Sequence, residues 1–324
     1  MRWPSGPRPP ASAPVLPLAP AASVRRLSLQ VAHRLDGLLQ GDHLGHLPGP
    51  GTEPAEARGY SPGDDVRRID WAVTARTGQP HVRQAVSERE LETTLLVDLT
   101  ASMSFGSARS PKRDVAVSLA AAIGHLACGP GDRLGAVVLG DTVRRLPARS
   151  GRQASLALLH VLQTTRPSGA GPTLASGLEA LLSPPRRSGL VVVVSDLQAP
   201  GLQESGLDWA RPLQRLAQRH DCVVVEVLDP RELELPTAGV LRLVDPETGR
   251  HLEVPTGDRR LRERYAEAAA ARRAAHAEAV RGAGAGHLVL RTDRDWLPEL
   301  ARFLAARRRL RAAGRPPARE RAGR

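Results

Sequence analysis

The chain has 324 residues, room for one large domain or two small ones, and with 41% hydrophobic but only 2% aromatic residues its core is built from Leu, Val and Ala. Its net charge of +12 is almost all arginine, Lys112 being the one lysine, and the charge is spread along a chain nearly without base-stacking aromatics, which argues against a nucleic-acid enzyme. Cys128 and Cys222 each lie in or beside an apolar element and read as reduced core residues of a cytoplasmic protein; no apolar run approaches the ~20 residues of a membrane helix.

Residues 1–20 are rich in Pro and Ala and are expected to form a disordered leader. From Ala21, Leu27, Val31, Leu35, Leu38 and Leu39 recur at helical spacing, and the turn-rich loop after Gly41 holds His43 and His46, which no neighbouring acid or cysteine completes as a metal set. The segment Ala57–Arg76 interleaves opposite charges (Arg58, Asp64, Asp65, Arg67, Asp70 and Arg76) with Tyr60 and Trp71. Two readings fit: a network holding an irregular loop, turned at Ser61-Pro62-Gly63-Asp64, or a docking face. His81–Glu90 alternates as an extended strand would, and Leu95–Asp98 is a short apolar run that reads as a buried strand.

Helix and strand patterns then alternate. Helices are predicted over Pro111–Leu126, Ser155–Gln163, Trp209–His220, Leu261–Val280 and Trp296–Leu310, with a further helix starting after Thr173. Strands are predicted over Leu134–Leu139, Leu190–Val194, Cys222–Val227 and His287–Leu290, with Thr142–Leu146 as a returning edge strand. Leu241–Val244 and His251–Val254 flank Asp245-Pro246-Glu247-Thr248-Gly249 as an inserted hairpin, and the Arg-rich tail from 311 is expected to be unstructured. This alternation predicts a doubly wound, mostly parallel α/β sheet over residues 91–310, preceded by a helix and charged-loop extension over 21–90.

Ligands collect at the carboxyl ends of the strands in such sheets. Asp98, followed by Thr100 and Ser102, ends one predicted strand; Asp196 follows another, and Thr173 ends a Gly-rich loop. If both strands are central and parallel, two carboxylates and three hydroxyls meet at one rim, an oxygen-only set suited to Mg²⁺ with several waters retained. Taken alone, Thr100 and Ser102 read equally well as caps of the next helix.

The set resembles the metal-ion-dependent adhesion site of von Willebrand factor type A domains, written Asp-x-Ser-x-Ser, then Thr, then Asp, with Thr100 in place of the first serine. A wider resemblance runs from about Ala21 to Leu310. The block Arg58–Trp71, then Thr74-Ala75-Arg76, the Asp98 loop with Met103 and Phe105-Gly106, and Asp229–Pro236 are similar to the bacterial domain of unknown function 58 family. That resemblance implies a non-enzymatic adaptor acting with a MoxR-type AAA+ ATPase and a client protein. It also implies a Mg²⁺ held by Asp98, Thr100, Ser102, Thr173 and Asp196 that captures a partner carboxylate.

The main enzyme alternative is a haloacid-dehalogenase-like, Mg²⁺-dependent phosphotransferase with Asp98 as nucleophile. Such enzymes carry a second Asp two residues on, where this chain has Thr100, and a later basic residue, for which Lys112 lies too early. A P-loop is missing.

Overall fold

A computed structural model describes residues 29–30, 34, 57–61, 66–83, 92–127, 129, 131–167, 171–182, 188–198, 206–244, 249 and 251–313. Its centre is a six-stranded sheet of β3 (Glu92–Asp98), β4 (Arg133–Leu139), β5 (Val143–Ser150), β6 (Leu190–Ser195), β7 (Asp221–Leu228) and β10 (Gly286–Arg291), in the order β10-β7-β6-β3-β4-β5. All neighbours are parallel except β5, which returns antiparallel to β4. The order reverses between β3 and β6, so the helices that follow them pack on opposite faces and a crevice opens at their carboxyl ends.

The apolar runs sit in the middle because only strands covered on both faces can be apolar throughout. Leu95 and Val97 face one cluster, with Val115, Leu119, Leu158 and Leu159, while Leu96 faces the other, with Leu178, Leu181, Trp209 and Leu213. The helices behind the first cluster are α2 (Lys112–Leu126), α3 (Arg152–Thr164) and α8 (Leu297–Ala313); those behind the second are α4 (Leu174–Leu182), α5 (Ala210–Ala217) and α7 (Arg259–Gly282). At the open edge, β5 is mostly exposed and carries Arg144, Arg145, Pro147 and Arg149, the charges and proline that discourage pairing with another chain.

Outside the sheet, β1 (Ala57–Gly59) pairs antiparallel with β2 (His81–Arg83), and β8 (Val240–Val244) with β9 (His251–Pro255) as the expected hairpin. The predicted strand over 81–90 is therefore short, its later residues lying outside the described ones. The charged block holds an unexpected helix, α1 (Trp71–Thr77), capped by Asp70, whose Oδ1 accepts from the Ala72 and Val73 amides. Gly78 ends it in the left-handed region at φ 72°. Asp229-Pro230-Arg231-Glu232 begins a second unforeseen helix, the single turn α6 (Pro230–Leu233). The closing helix runs to Ala313, past the Leu310 at which the tail was expected to begin. Of the predicted N-terminal helix, Leu29, Gln30 and Arg34 are described and helical. The leader, His43, His46, Cys128 and the rest of the tail lie outside the described residues, and Cys222 is buried as expected. No described helix is long and apolar enough to cross a membrane.

One buried polar cluster lies within the sheet. Glu226 of β7 is 1% exposed and bonds to His287 Nε2 at 3.0 Å and His276 Nδ1 at 3.5 Å. Burial pushes its carboxyl up, but the two imidazoles outweigh that and hold it below the ordinary value. Such a carboxylate stabilises the fold above its unfolded pKa, and the contribution disappears as pH falls through the folded value. Urea midpoints measured from about pH 5 down to about pH 3 should therefore fall more steeply for the natural chain than for Glu226→Gln. Parallel slopes would show that the cluster has no such role.

Candidate functional site

The β3–β6 crevice is lined by the two strand-end carboxylates. Asp98 ends β3 and is 3% exposed, and Asp196, next after β6, is 1% exposed. The chain after Asp98 folds into a 3-10 turn, Ala101–Ser104, with Thr100 at its start. Thr100 makes no side-chain cap; its hydroxyl instead donates to Asp98 Oδ1 at 2.7 Å, where its amide also donates at 3.0 Å. Ser102 Oγ lies 3.3 Å from Thr100 Oγ1. Asp98 Oδ2 accepts from Ser195 Oγ at 2.7 Å, which ties the ends of the two strands together.

Beyond β6, Ser195 Oγ accepts from the Leu197 amide at 3.0 Å, holding buried Leu197 at φ 58°. A leucine in this left-handed region costs about 1–2 kcal/mol, a strain stored beside the carboxylate. Asp196 Oδ1 takes the Gln198 amide at 3.1 Å, and its Oδ2 faces Lys112 Nζ at 2.6 Å.

Thr173 stands at the start of α4, its Oγ1 accepting from the Ser176 amide at 3.2 Å. Four residues on, Gly177 packs so closely on Leu139 and Leu96 that a Cβ there would lie 2.8 Å from Leu139 and 3.0 Å from Leu96. Leu139 ends β4, level with Asp98, while Leu96 stands two residues lower, level with Arg145, whose side chain donates to Ala180 O further along α4. The helix therefore begins at the same rim, although Thr173 makes no hydrogen bond to the Asp98 turn or to Asp196 among the described residues.

The residue that sequence reasoning missed is Lys112. From the sequence it is weighed only as the basic residue of a phosphotransferase, for which it comes too early in the chain, and it is given no place at this rim. At the head of α2 it is fully buried, with Nζ 2.6 Å from Asp196 Oδ2 and 2.5 Å from Glu232 Oε1. Burial pulls the ammonium down, but Asp196 and Glu232 together hold it above its ordinary value. A signal was present: Lys112 heads the stripe of Val115, Ala116 and Leu119 at helical spacing, so a charge sits on a core-facing row. Glu232 is the third residue of a capping box, its Oε2 accepting from the Asp229 amide at 2.9 Å.

Asp98 has no cationic side chain bonded to it among the described residues; burial and then the charge of Asp196 push its carboxyl up, against bonds from Thr100 and Ser195. Ionised, Asp98, Asp196 and Glu232 against the one ammonium of Lys112 leave two negative charges. That charge, and hydroxyl oxygens 3.3 Å apart, fit a small octahedral divalent ion with ligands at about 2.0–2.1 Å. Among the described residues no group of three His, Cys, Asp or Glu side chains is placed to hold a metal, so an ion here depends on Thr100 and Ser102 as well as on carboxylates. The phosphotransferase alternative finds no support: Thr100 spends its proton on Asp98, and Lys112 is engaged by Asp196 and Glu232.

Of the charged block, Asp70 has a structural part as a helix cap, Tyr60 is half-buried, Arg67 and Arg76 are exposed, and Trp71 is 71% exposed. Arg58 lies in β1, and Asp64 and Asp65 lie outside the described residues.

Residues 56–275 match the family described as "Protein of unknown function DUF58". The chain belongs to that family. This DUF58 chain is 51% identical over 297 residues to an uncharacterized protein of Mycobacterium tuberculosis, covering 91% of this chain and 92% of that one. It is 46% identical over 173 residues to an uncharacterized protein of Mycobacterium avium, covering 53% of this chain and 98% of the relative. Among solved structures it is similar to BatB from Bacteroides thetaiotaomicron, at 15% identity and a TM-score of 0.41 over 68% of this chain and 99% of that one. A von Willebrand factor type A protein from Catenulispora acidiphila is similar at 16% identity and a TM-score of 0.34, over 56% of this chain and 42% of that one. The doubly wound α/β architecture of the DUF58 chain rests on its own sheet order, mostly parallel and reversing between β3 and β6.

Proposed function

We propose that this DUF58 chain is a protein-interaction module, not an enzyme, in which Asp98, Thr100, Ser102, Thr173 and Asp196 hold Mg²⁺ and a partner's Asp or Glu completes the ion's shell. The observation that carries this reading is Asp98: a buried carboxylate beside a second one, bonded among the described residues to hydroxyls and an amide and to no cation. Burying a charge in that way is costly unless a cation completes it. The ion, when bound, supplies an electrophilic position for an anionic oxygen. The chain's own groups fix the rest. Thr100 and Ser195 orient Asp98, the Gln198 amide and Lys112 orient Asp196, and the strained Leu197 turn keeps them in place.

The family resemblance supports a MoxR-type AAA+ ATPase as the partner, with a client protein joined through either of them, in the cytoplasm. The test is the affinity of the chain for the product of a neighbouring MoxR-type gene. Chelating Mg²⁺ with EDTA, or making Asp98→Ala, should each weaken the complex by at least about tenfold, the scale of one lost charge-assisted contact. Affinities unchanged by both would remove the metal from the interaction.

A further inference from the structure

We infer that Lys112 sets the cation affinity of the rim site: its buried ammonium competes for Asp196 from inside the fold, and Glu232 tunes how much of that charge the site feels. The inference rests on the divalent-cation reading above and concerns two residues that stand outside the five-residue set.

Lys112 is 0% exposed, so its charge has no route to solvent and must be answered within the fold. It is clamped between a carboxylate of the site, Asp196, and one outside it, Glu232. Glu232 is itself fixed, because its second oxygen takes the Asp229 amide and Pro230 opens its helix. Of the Asp196 oxygens, Oδ2 is shared with the ammonium while Oδ1 bonds the Gln198 amide. A cation drawing on Asp196 therefore meets the repulsion of Lys112 at short range, screened by Glu232. Lysine suits this place because it presents a compact point charge, where the planar fork of arginine demands more room.

The charge balance makes the inference directional. Lys112→Met raises the negative charge around the site by one, and Glu232→Gln lowers it by one. An effect exerted through packing alone would weaken the site in both variants, whereas Coulombic control moves them in opposite directions.

The test is Mn²⁺ binding to the full-length chain, read by the loss of the free-ion electron paramagnetic resonance signal at fixed ionic strength, with circular dichroism to verify folding. Asp98→Ala serves as the control for binding elsewhere. Glu232→Gln should weaken Mn²⁺ by about tenfold and Lys112→Met should tighten it by about tenfold, as expected of one unit charge a few ångström away in a partly buried site. Should Lys112→Met not fold, the double variant Lys112→Met/Glu232→Gln carries the test: the site charge is then that of the natural chain, and affinity should rise about tenfold above Glu232→Gln alone. Binding that is unchanged, or weakened in every variant, overturns the inference while leaving the metal site standing. A natural chain that takes up no Mn²⁺ at millimolar concentrations overturns the metal reading and this inference with it.

Discussion

Replacing Lys112 with methionine is expected to lower the free energy of unfolding by about 3–5 kcal/mol, the cost of removing one member of a buried ionic set. The methionine matches the lysine stem in length, so packing against the α2 stripe survives and the loss is electrostatic. What remains is Asp196, 1% exposed, and Glu232, facing each other without the cation that held them together. The penalty should shrink in acid. Burial already lifts the Glu232 carboxyl above its ordinary value, with Lys112 pulling it back and Asp196 lifting it further. Without Lys112 it takes a proton more readily, and a neutral carboxyl has little need of a counter-charge. Urea unfolding of the two chains should therefore show a gap that narrows as pH falls. Adding Glu232→Gln to Lys112→Met should recover part of the lost stability at neutral pH. A constant gap, or no recovery, would mean that lost packing and not charge accounts for the effect.

The sheet was legible because its central strands carry uninterrupted apolar runs: Leu95–Val97, Leu190–Val194 and Cys222–Val225 can only be buried on both faces. The edge was legible for the opposite reason, since Arg144 and Arg145 in an extended segment need solvent on one side. Asp98 and Asp196 could be placed at one rim because Asp98 directly follows such a run, Asp196 follows another after Ser195, and the strands are parallel. What could not be read was which groups answer their charges. Lys112 and Glu232 are 120 residues apart, and nothing in either segment points to the other. The periodicity of α2 put Lys112 on the buried row, which demands a partner but does not name it. Helix α6 was announced by an Asp-Pro-x-Glu start, and α1 by Asp70 before Trp71, yet both are too short for a periodic pattern to register. Thr100 shows the limit of local reasoning: its type and place suit a cap, but Asp98 two residues back is the nearer acceptor.

Asp229→Ala should cost about 2–4 kcal/mol, because hydrogen bonds to a charged acceptor are worth ~1.5–3 kcal/mol each and several are lost together. Asp229 is fully buried at the end of β7. Its Oδ2 accepts from the Ser107 amide and the Thr292 hydroxyl, both at 2.8 Å, and its Oδ1 from the Arg231 amide at 2.9 Å and from Ser107 Oγ. One side chain thus pins the loop after β3, the start of α6 and the residue after β10. These bonds overcome burial and hold the carboxyl below its ordinary value, so the stabilisation is present above the unfolded pKa and is lost as pH falls through the folded one. The natural chain and Asp229→Ala should accordingly converge in stability on acidification. The consequence reaches the rim site without touching it. Ser107 follows the Thr100–Ser102 turn, and behind that turn the Lys112 amide donates to Phe105 O at 3.0 Å. A Cβ on Gly106 would lie 2.5 Å from Pro111 Cα, so the segment between turn and helix has no slack of its own. Freed at Ser107, it loosens as a unit. Amide exchange should therefore accelerate at Ser107 and Arg231 first and then through the 3-10 turn, while the amides of β3 stay protected. Exchange that speeds up only at Arg231 would show that Asp229 serves α6 alone and that the rim loop is held by other contacts.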